Sequence, residues 1–201
     1  MPPPLISPTR RLILASSSPY RRELLERLRI PFTVRVPGIV ETSLAHETPA
    51  QTALRLAQAK ARAVVGDEPD ALVIGSDQVA TLDGRQIGKP GSHAAALAQL
   101  QTMRGRAVEF HSALCLYDSR HDHMQSTDVV THVVFRDLPD TELEAYLHAE
   151  QPYDVAGSAK AEGLGITLLA SIRSDDPTAL IGLPLIALTG MLRQAGLSLS
   201  N

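Results

Sequence analysis

Three serines, a proline and two arginines stand together near the start of the chain, and their types suit the binding of an anion. The stretch reads SSSPYRR over residues 16–22 and follows an apolar run. Ser18 and Pro19 are typical of the N-cap and first position of a helix, where backbone N–H groups point outward. Those groups, the hydroxyls of Ser16 and Ser18 and the guanidinium group of Arg21 would together form a phosphate site. The alternative is that the serines only cap the helix while the arginines are solvated.

Two carboxylates and two lysines elsewhere in the chain could act on such a phosphate. Asp77 follows the apolar run LVIG, where a tight turn would expose it to orient a water molecule or bind Mg²⁺. Glu41 in GIVET could be a second metal ligand, and Lys60 in AQAKARA and Lys89 in IGKPG could bind phosphate oxygens. Each residue also has an ordinary interpretation, because aspartates form turns and lysines are usually solvated.

No arrangement of serine, cysteine or histidine suggests a nucleophile. The single cysteine, Cys115, lies in the alternating run HSALCLY and is predicted to be a buried strand residue. His121 and His123 have a spacing that could chelate a metal, although a polar hairpin is the favoured interpretation, and the other histidines form no recognised motif. Several cations, two acids and no nucleophile suit metal-assisted attack of water on a phosphoanhydride.

The composition narrows the classes of protein. The 201 residues are 44% hydrophobic, carry a net charge of −3 and include one cysteine. A protein that binds nucleic-acid polymers usually has a large basic excess, so we expect no such partner. No apolar run reaches the roughly 18 residues of a membrane span, and the start, MPPPLISPTRR, lacks the apolar core of a signal peptide. We therefore predict a cytoplasmic protein with no membrane contact and no disulfide framework.

The elements that must position these residues alternate at first between strands and helices, and strands then run together. Apolar patterning predicts strands at 12–15, 32–36, 71–82, 108–117 and 126–135, and one short strand within the glycine-rich region 155–182. The third strand is expected to break at 75–77. Caps at Ser18, Thr48 and Ser92, together with apolar periodicity, predict helices at 19–28, 49–65, 93–103, 139–150 and 183–194. This order predicts an α/β protein with a mixed sheet, as a single domain over 12–201 after a flexible tail at 1–11.

An ordered set of motifs resembles the Maf family of nucleotide pyrophosphatases. The motifs read LILASSSPYRRELLERL, RLAQAKA, VIGSDQVATLDG, GKP, AGSAKAEGLG and DPTALIGLPL, and they extend from about Leu12 to about Leu192. The resemblance implies a Maf/ITPase-like α/β fold, with a mixed, partly antiparallel central sheet flanked by helices and two lobes around a cleft. It also implies that water attacks the α-phosphorus of a nucleoside triphosphate and gives a nucleoside monophosphate and inorganic diphosphate. The expected divalent cation is Mg²⁺ or Mn²⁺.

The resemblance also implies a role for each matching polar residue. Asp77 would be the general base that activates water, and Glu41 would hold the divalent cation together with Asp77. The residues expected to bind the triphosphate are Ser16, Ser18, Arg21, Lys60 and Lys89. Val40 stands where the family often has an acid, which weakens the expected metal shell.

Three positions resemble the YceF branch of the family, whose members look like 7-methyl-GTP pyrophosphatases. Tyr20 and Gln78 stand where the branch that hydrolyses dTTP and UTP has an arginine and a threonine, and Glu162 matches a third position used for base selection. N7-methylguanine is cationic, so Tyr20 could stack on it, while Glu162 could accept hydrogen bonds from its N1–H and amino group or offset its positive charge. Ala159 departs from the aromatic residue that is usual in this branch.

Other functions stay open at this point. The substrate could be another triphosphate, such as UTP, dTTP or a different modified nucleotide. The chain could also be a non-catalytic nucleotide-binding or division-linked regulator that keeps the pocket. The expected partner is a nucleoside triphosphate, and the expected role is removal of modified nucleotides from the pool. A homodimer is plausible, although no residue argues for it.

Overall fold

The computed structural model describes residues 10–66 and 68–197, and it has the predicted α/β architecture. The strands are β1 (Arg11–Ala15), β2 (Thr33–Arg35), β3 (Ala71–Leu82), β4 (Arg85–Ile87), β5 (Ala107–Asp118), β6 (His123–Phe135) and β7 (Leu169–Arg173). The helices are α1 (Pro19–Glu26), α2 (Pro49–Val65), α3 (His93–Met103), α4 (Asp140–Glu150) and α5 (Leu185–Gln194). Most of the predicted tail, residues 1–9, lies outside the described residues.

One seven-stranded mixed sheet carries the fold, in the order β2-β1-β3-β5-β6-β7, with β4 also paired to β3. β1 is parallel to β2 and β3, and the other pairs are antiparallel. On one side, β3 pairs with β1 over residues 71–75 and with β4 over residues 80–82. Between them, residues 76–79 have no partner strand on that side within the part of the chain described. This gap in the sheet is the cleft.

The apolar residues divide the molecule into two lobes on either side of this gap. One core cluster joins α1 and α5 to β1, the first half of β3 and the end of β5. A second joins α3 and α4 to the end of β3, the start of β5 and the end of β6. Because alternate strand residues face opposite ways, both clusters lie on one face of the sheet, while α2 covers the other face with a third cluster. The expected mixed sheet and two lobes are confirmed.

The predicted break in the third strand is wrong, because β3 continues through Gly75 and Asp77. The glycine is required for another reason. A Cβ atom built on Gly75 would lie 2.0 Å from the backbone oxygen of Ala57 and 2.9 Å from the backbone nitrogen of Ala61. Only glycine therefore lets α2 approach the strand this closely. The same approach brings a side chain of α2 over Asp77, which lies within the strand and not in a turn.

Three helix caps agree with the sequence prediction, whereas one short strand was missed. The side chains of Ser18, Thr48 and Ser92 accept the expected N-cap hydrogen bonds. The missed strand, β4, follows Asp83 and Gly84, which both have positive φ and form the hairpin turn that their sequence favours. Among the described helices, none combines the length and the apolar character that crossing a bilayer requires.

Candidate active site

A buried aspartate–lysine pair lies at the gap in the sheet. Lys60 Nζ, on α2, donates a hydrogen bond of 2.6 Å to Asp77 Oδ1, on β3. Asp77 is 6% exposed and Lys60 is 4% exposed. Charges removed from water are costly unless they are paired, so each residue fixes the position and charge of the other. The two residues predicted from separate motifs are therefore one structural unit.

Glu41 joins this unit from a third element. Its Oε1 atom lies 2.9 Å from Lys60 Nζ, and its side chain is 50% exposed. Glu41 belongs to the segment between β2 and α2, so a single ammonium group connects two carboxylates that come from distant parts of the chain. The two predicted metal ligands, Glu41 and Asp77, are thus brought together.

The segment that carries Glu41 is held on α2 by an ion pair that the sequence analysis did not identify. Arg55 Nη2 donates to the backbone oxygen of Thr42 at 2.9 Å and to Glu47 Oε2 at 2.8 Å. Hydrogen bonding to Arg55 is the main cause that lowers the pKa of Glu47 to about 2. Glu47 and Arg55 lie on either side of a helix cap, a spacing that matches no motif, so only the folded chain brings them together.

Arg21 reaches the same region from the first turn of α1. Its Nε atom donates to the backbone oxygen of Gly182 at 2.8 Å, and Ser76 Oγ donates to that same oxygen at 2.9 Å. Desolvation lowers the pKa of Arg21, and the negative charges of Asp77 and Glu41 oppose that effect. Arg21 is therefore oriented by a backbone carbonyl and lies within the electrostatic reach of both acids.

The serines before α1 hold the start of that helix. Ser16 is 3% exposed, and its Oγ atom accepts the N–H of Ser18 at 3.0 Å. Ser18 Oγ in turn accepts the N–H of Arg21 at 3.4 Å. Arg22 points elsewhere and pairs with Glu26 at 2.9 Å in solvent. The capping role of the serines is confirmed, and phosphate binding by Ser16 and Ser18 stays a prediction.

Lys89 is exposed, on the loop between β4 and α3. It lines a groove of about 860 Å³ between these two elements. The loop is held by a bond of 3.0 Å from Gln99 Nε2 to the oxygen of Gly88 and by one of 3.0 Å from the Gly91 N–H to the oxygen of Tyr153. In the described residues the Lys89 side chain forms no hydrogen bond or ion pair, so its phosphate role also stays a prediction.

Tyr20 of α1 and Glu162 of the glycine-rich region both lie near Lys160. The Lys160 ammonium lies 5.6 Å from the centre of the Tyr20 ring, which is a cation–π contact. Glu162 is exposed over much of its side chain, yet partial desolvation of its carboxylate raises its pKa, and Glu150 adds like-charge repulsion while Lys160 opposes it. This is the side of the site at which an aromatic face and an acid lie near one cation.

Gln78 faces away from Asp77, because neighbouring residues of a strand point to opposite faces of the sheet. Its Nε2 atom donates to Ser112 Oγ at 2.9 Å and to the backbone oxygens of Ala179 at 3.1 Å and Leu180 at 2.9 Å. The amide hydrogens of Gln78 are thus used to hold residues 179–180 on the sheet. Its carbonyl oxygen is the atom left for a ligand.

The remaining prediction for a single side chain concerns Cys115, which is fully buried on β5 as expected. Burial raises the pKa of its thiol to about 12, so the thiol is not a nucleophile at neutral pH.

The arrangement at the gap offers one buried carboxylate, Asp77, two cations, Lys60 and Arg21, and a second carboxylate, Glu41. Such a set can orient a water molecule and stabilise negative charge on a leaving group.

Comparisons with known proteins agree with the order of motifs in the chain. A sequence model of the family described as "Maf-like protein" matches residues 11–195. A relative named "7-methyl-GTP pyrophosphatase" from Paraburkholderia xenovorans is 74% identical over 189 residues, covering 92% of each chain. One of the same name from Cupriavidus metallidurans is 69% identical over 185 residues, covering 92% of this chain and 93% of that one. Among solved structures, a HAM1 protein from Coxiella burnetii aligns with a TM-score of 0.41 and 19% identity, over 65% of this chain and 75% of that one.

Proposed function

The chain belongs to the Maf family, and we propose that it is a nucleoside triphosphate pyrophosphatase that hydrolyses the α–β phosphoanhydride of 7-methyl-GTP. The products would be the nucleoside monophosphate and inorganic diphosphate, and the role would be removal of a modified nucleotide from the pool. The observation that carries the proposal is the buried Asp77–Lys60 pair, with Glu41 beside it, at the gap in the sheet. Relatives at 66–74% identity bear the name of this activity.

Asp77 is proposed as the general base. Lys60 donates to its Oδ1 atom and so orients the carboxylate, which leaves Oδ2 to accept a proton from water. The oxygen of that water would attack the α-phosphorus while the bond to the β-phosphate oxygen breaks. Arg21, Lys60 and Lys89 would stabilise the charge that develops on the leaving diphosphate, and the hydroxyls of Ser16 and Ser18 would bind phosphate oxygens.

A divalent cation fits the donor set at the gap. Mg²⁺ and Mn²⁺ prefer oxygen ligands, and Mg²⁺ is usually bound by one or two carboxylates together with substrate phosphates. Glu41 and Asp77 provide two carboxylates that already share the Lys60 ammonium. These two residues would hold the cation, and its charge would reduce the negative charge of the triphosphate.

Selection of the base is proposed for the other side of the cleft. The Lys160 ammonium lies over the Tyr20 ring, so the face of this ring is placed to attract a cation. The positively charged N7-methylguanine would take that place, with Glu162 accepting hydrogen bonds from its N1–H and amino group. Gln78 would contribute its carbonyl oxygen.

The test is release of diphosphate from a panel of 7-methyl-GTP, GTP, UTP and dTTP with Mg²⁺, together with identification of the nucleotide product. We expect the highest kcat/KM for 7-methyl-GTP and a nucleoside monophosphate as its product. Equal rates for 7-methyl-GTP and GTP would keep the pyrophosphatase and refute recognition of the methyl group. A preference for UTP or dTTP would refute the substrate.

Two outcomes would move the function outside this proposal. Nucleotide binding without turnover on every member of the panel would indicate a nucleotide-binding or division-linked regulator. Release of inorganic phosphate in place of diphosphate would refute attack at the α-phosphorus. The cytoplasmic location, the YceF branch and a homodimer stay predictions.

A further inference from the structure

Two histidines and a glutamate form a cluster on the second lobe, away from the gap in the sheet. His93 is the first residue of α3, and Glu144 and His148 lie one turn apart on α4. The nearest ligand-type atoms of the three side chains all lie within 4.8 Å of one another. Their spacing in sequence matches no motif, because the cluster forms only when α3 packs against α4.

Both ring nitrogens of His93 have a polar neighbour. Nδ1 lies 2.9 Å from the Tyr153 hydroxyl, which can accept a hydrogen bond from Nδ1–H or donate one to Nδ1. Nε2 lies 2.6 Å from Glu144 Oε2. In the tautomer that carries its proton on Nδ1, Nε2 has a free lone pair directed at the glutamate, as a metal ligand requires.

Three ligand atoms from three side chains therefore converge on one point between α3 and α4. The His148 ring also lies close, 4.8 Å between ring centres, and its Nε2 is 3.7 Å from the same Glu144 oxygen. A metal ion would satisfy all three groups with both rings neutral.

We propose that His93, Glu144 and His148 bind one first-row divalent cation, with Zn²⁺ as the best match. Imidazole nitrogens and a carboxylate are ligands that Zn²⁺ prefers over Mg²⁺. Ligand atoms around a tetrahedral Zn²⁺ lie about 3.3 Å apart at bond lengths of about 2.0 Å, which small rotations of these side chains would reach. With Nε2 on the metal, His93 Nδ1–H would donate to the Tyr153 hydroxyl 2.9 Å away, and such an outer hydrogen bond is usual for a metal-bound histidine.

Such a site would tie together the elements that carry Lys89. His93 directly follows the loop of Lys89, and the oxygen of Tyr153 accepts the N–H of Gly91 in that loop. The cation would therefore join α3, α4 and this loop as one unit. It would be independent of the carboxylates at the gap, and the inference does not depend on the proposed hydrolytic function.

The test is the binding of Zn²⁺ to the full chain, stripped of metals and kept in excess Mg²⁺ so that oxygen-rich sites are filled. Competition with a chromophoric chelator gives the stoichiometry and Kd, and Co²⁺ gives a visible spectrum that reports tetrahedral coordination. We expect one equivalent of Zn²⁺ and a rise in Tm on binding. His148→Ala and Glu144→Gln should each weaken binding at least ~10-fold.

The matched control is the double variant His121→Ala, His123→Ala, which removes two histidines from the β5–β6 hairpin. It should keep the full Zn²⁺ affinity. His148 is 76% exposed in its side chain, so its replacement by alanine is not expected to unfold the protein. No Zn²⁺ uptake by the unmodified chain would overturn the proposal in favour of a proton-bridged His93–Glu144 pair. Unchanged affinity in His148→Ala, or loss of binding in the hairpin control, would also overturn it.

Discussion

The two sides of the candidate site are built in different ways. On the acid side, Asp77 and Lys60 are almost fully buried and bonded to each other. On the base side, Tyr20 is only partly buried, and Glu162 is exposed. Lys160 contacts Tyr20 through a cation–π interaction, which is weak at partly exposed sites.

Because the two sides differ in this way, we expect the acid side to set the rate of hydrolysis and the base side to set the preference among nucleotides. Groups that are fixed before the substrate arrives need no reorganisation during the reaction, which is how charge stabilisation becomes effective. The phosphoanhydride is common to all nucleoside triphosphates, so the acid side cannot distinguish them. Discrimination between bases has to come from the open side, where a ligand can replace the Lys160 contact. We expect substitutions on the acid side to lower the rate for every substrate and those on the base side to change the ranking.

The largest effect is expected for Asp77→Asn. Asparagine keeps an oxygen acceptor for Lys60 but cannot take the proton of the attacking water, so turnover should fall by ~10³-fold, within the usual range for a general base. Nucleotide affinity should stay within a few-fold. Steady-state diphosphate release and an equilibrium binding titration measure the two quantities. The control is Asp83→Asn on the exposed β3–β4 turn, which should behave like the unmodified chain. Turnover retained in Asp77→Asn would remove the carboxylate from the mechanism.

A second test changes the contact that places Lys60 over Asp77. A Cβ atom at Gly75 would lie 2.0 Å from the backbone oxygen of Ala57, and backbone cannot move aside cheaply. We expect Gly75→Ala to destabilise the protein by about 3 kcal/mol or more, which lowers Tm by roughly 6–12 °C. Gly190→Ala is the matched control, because Gly190 lies in α5 with nothing near its Cβ position, and there alanine should raise Tm slightly. An equal response of the two variants would show that α2 does not depend on this close approach.

Gly75 also shows what the sequence could and could not predict. Helix caps and apolar runs act over a few residues, so Ser18, Thr48 and Ser92 were identified correctly from local pattern. The glycine was predicted to break a strand, because a local pattern does not show which distant helix passes over it. The correct interpretation depends on a contact with Ala57, which lies 18 residues earlier in the chain.

For the candidate site, too, residue types could be predicted from the sequence, whereas contacts between distant segments could not. The types and order of Glu41, Lys60 and Asp77 indicated chemistry on a phosphate, and the folded chain brings these three together. The sequence did not indicate that Lys60 lies between the two acids, because that position depends on the approach of α2 to β3. It also gave no signal for the Glu47–Arg55 pair, which holds the segment of Glu41.

A smaller effect is expected for Glu162→Gln. The preference for 7-methyl-GTP over GTP should fall roughly fivefold to tenfold, since solvent screens a partly exposed carboxylate, while kcat for GTP stays nearly unchanged. Glu142→Gln, at an exposed position in the first turn of α4, is the matched control. The pKa of Glu162 is raised above its ordinary 4.5, so the unmodified chain should lose preference on acidification at a higher pH than an ordinary glutamate would allow. A preference that does not change in the variant would place recognition of the methyl group elsewhere.

The smallest effect is expected for Glu47→Gln, which breaks the ion pair that supports Glu41 from outside. The pair is partly buried but still in contact with solvent, so Tm at neutral pH should fall by roughly a few degrees. Arg55 would keep its bond to the oxygen of Thr42, and therefore turnover should change less than in any acid-side variant. Glu26→Gln is the control, because Glu26 forms a more exposed pair with Arg22 that does not touch the segment of Glu41, and it should change Tm less.

For Glu47→Gln, the pH dependence of the fall in Tm is a sharper test than the size of that fall. The pKa of Glu47 is lowered from 4.5 in the unfolded chain to about 2, so its stabilising contribution is complete above pH 4.5 and is lost as the pH falls through about 2. The difference in Tm between the unmodified chain and Glu47→Gln should therefore be constant near neutral pH, shrink below pH 4.5 and vanish near pH 2. If the difference instead disappeared above pH 5, the pair would not be formed in solution, and the support of Glu41 would have to come from Lys60 alone.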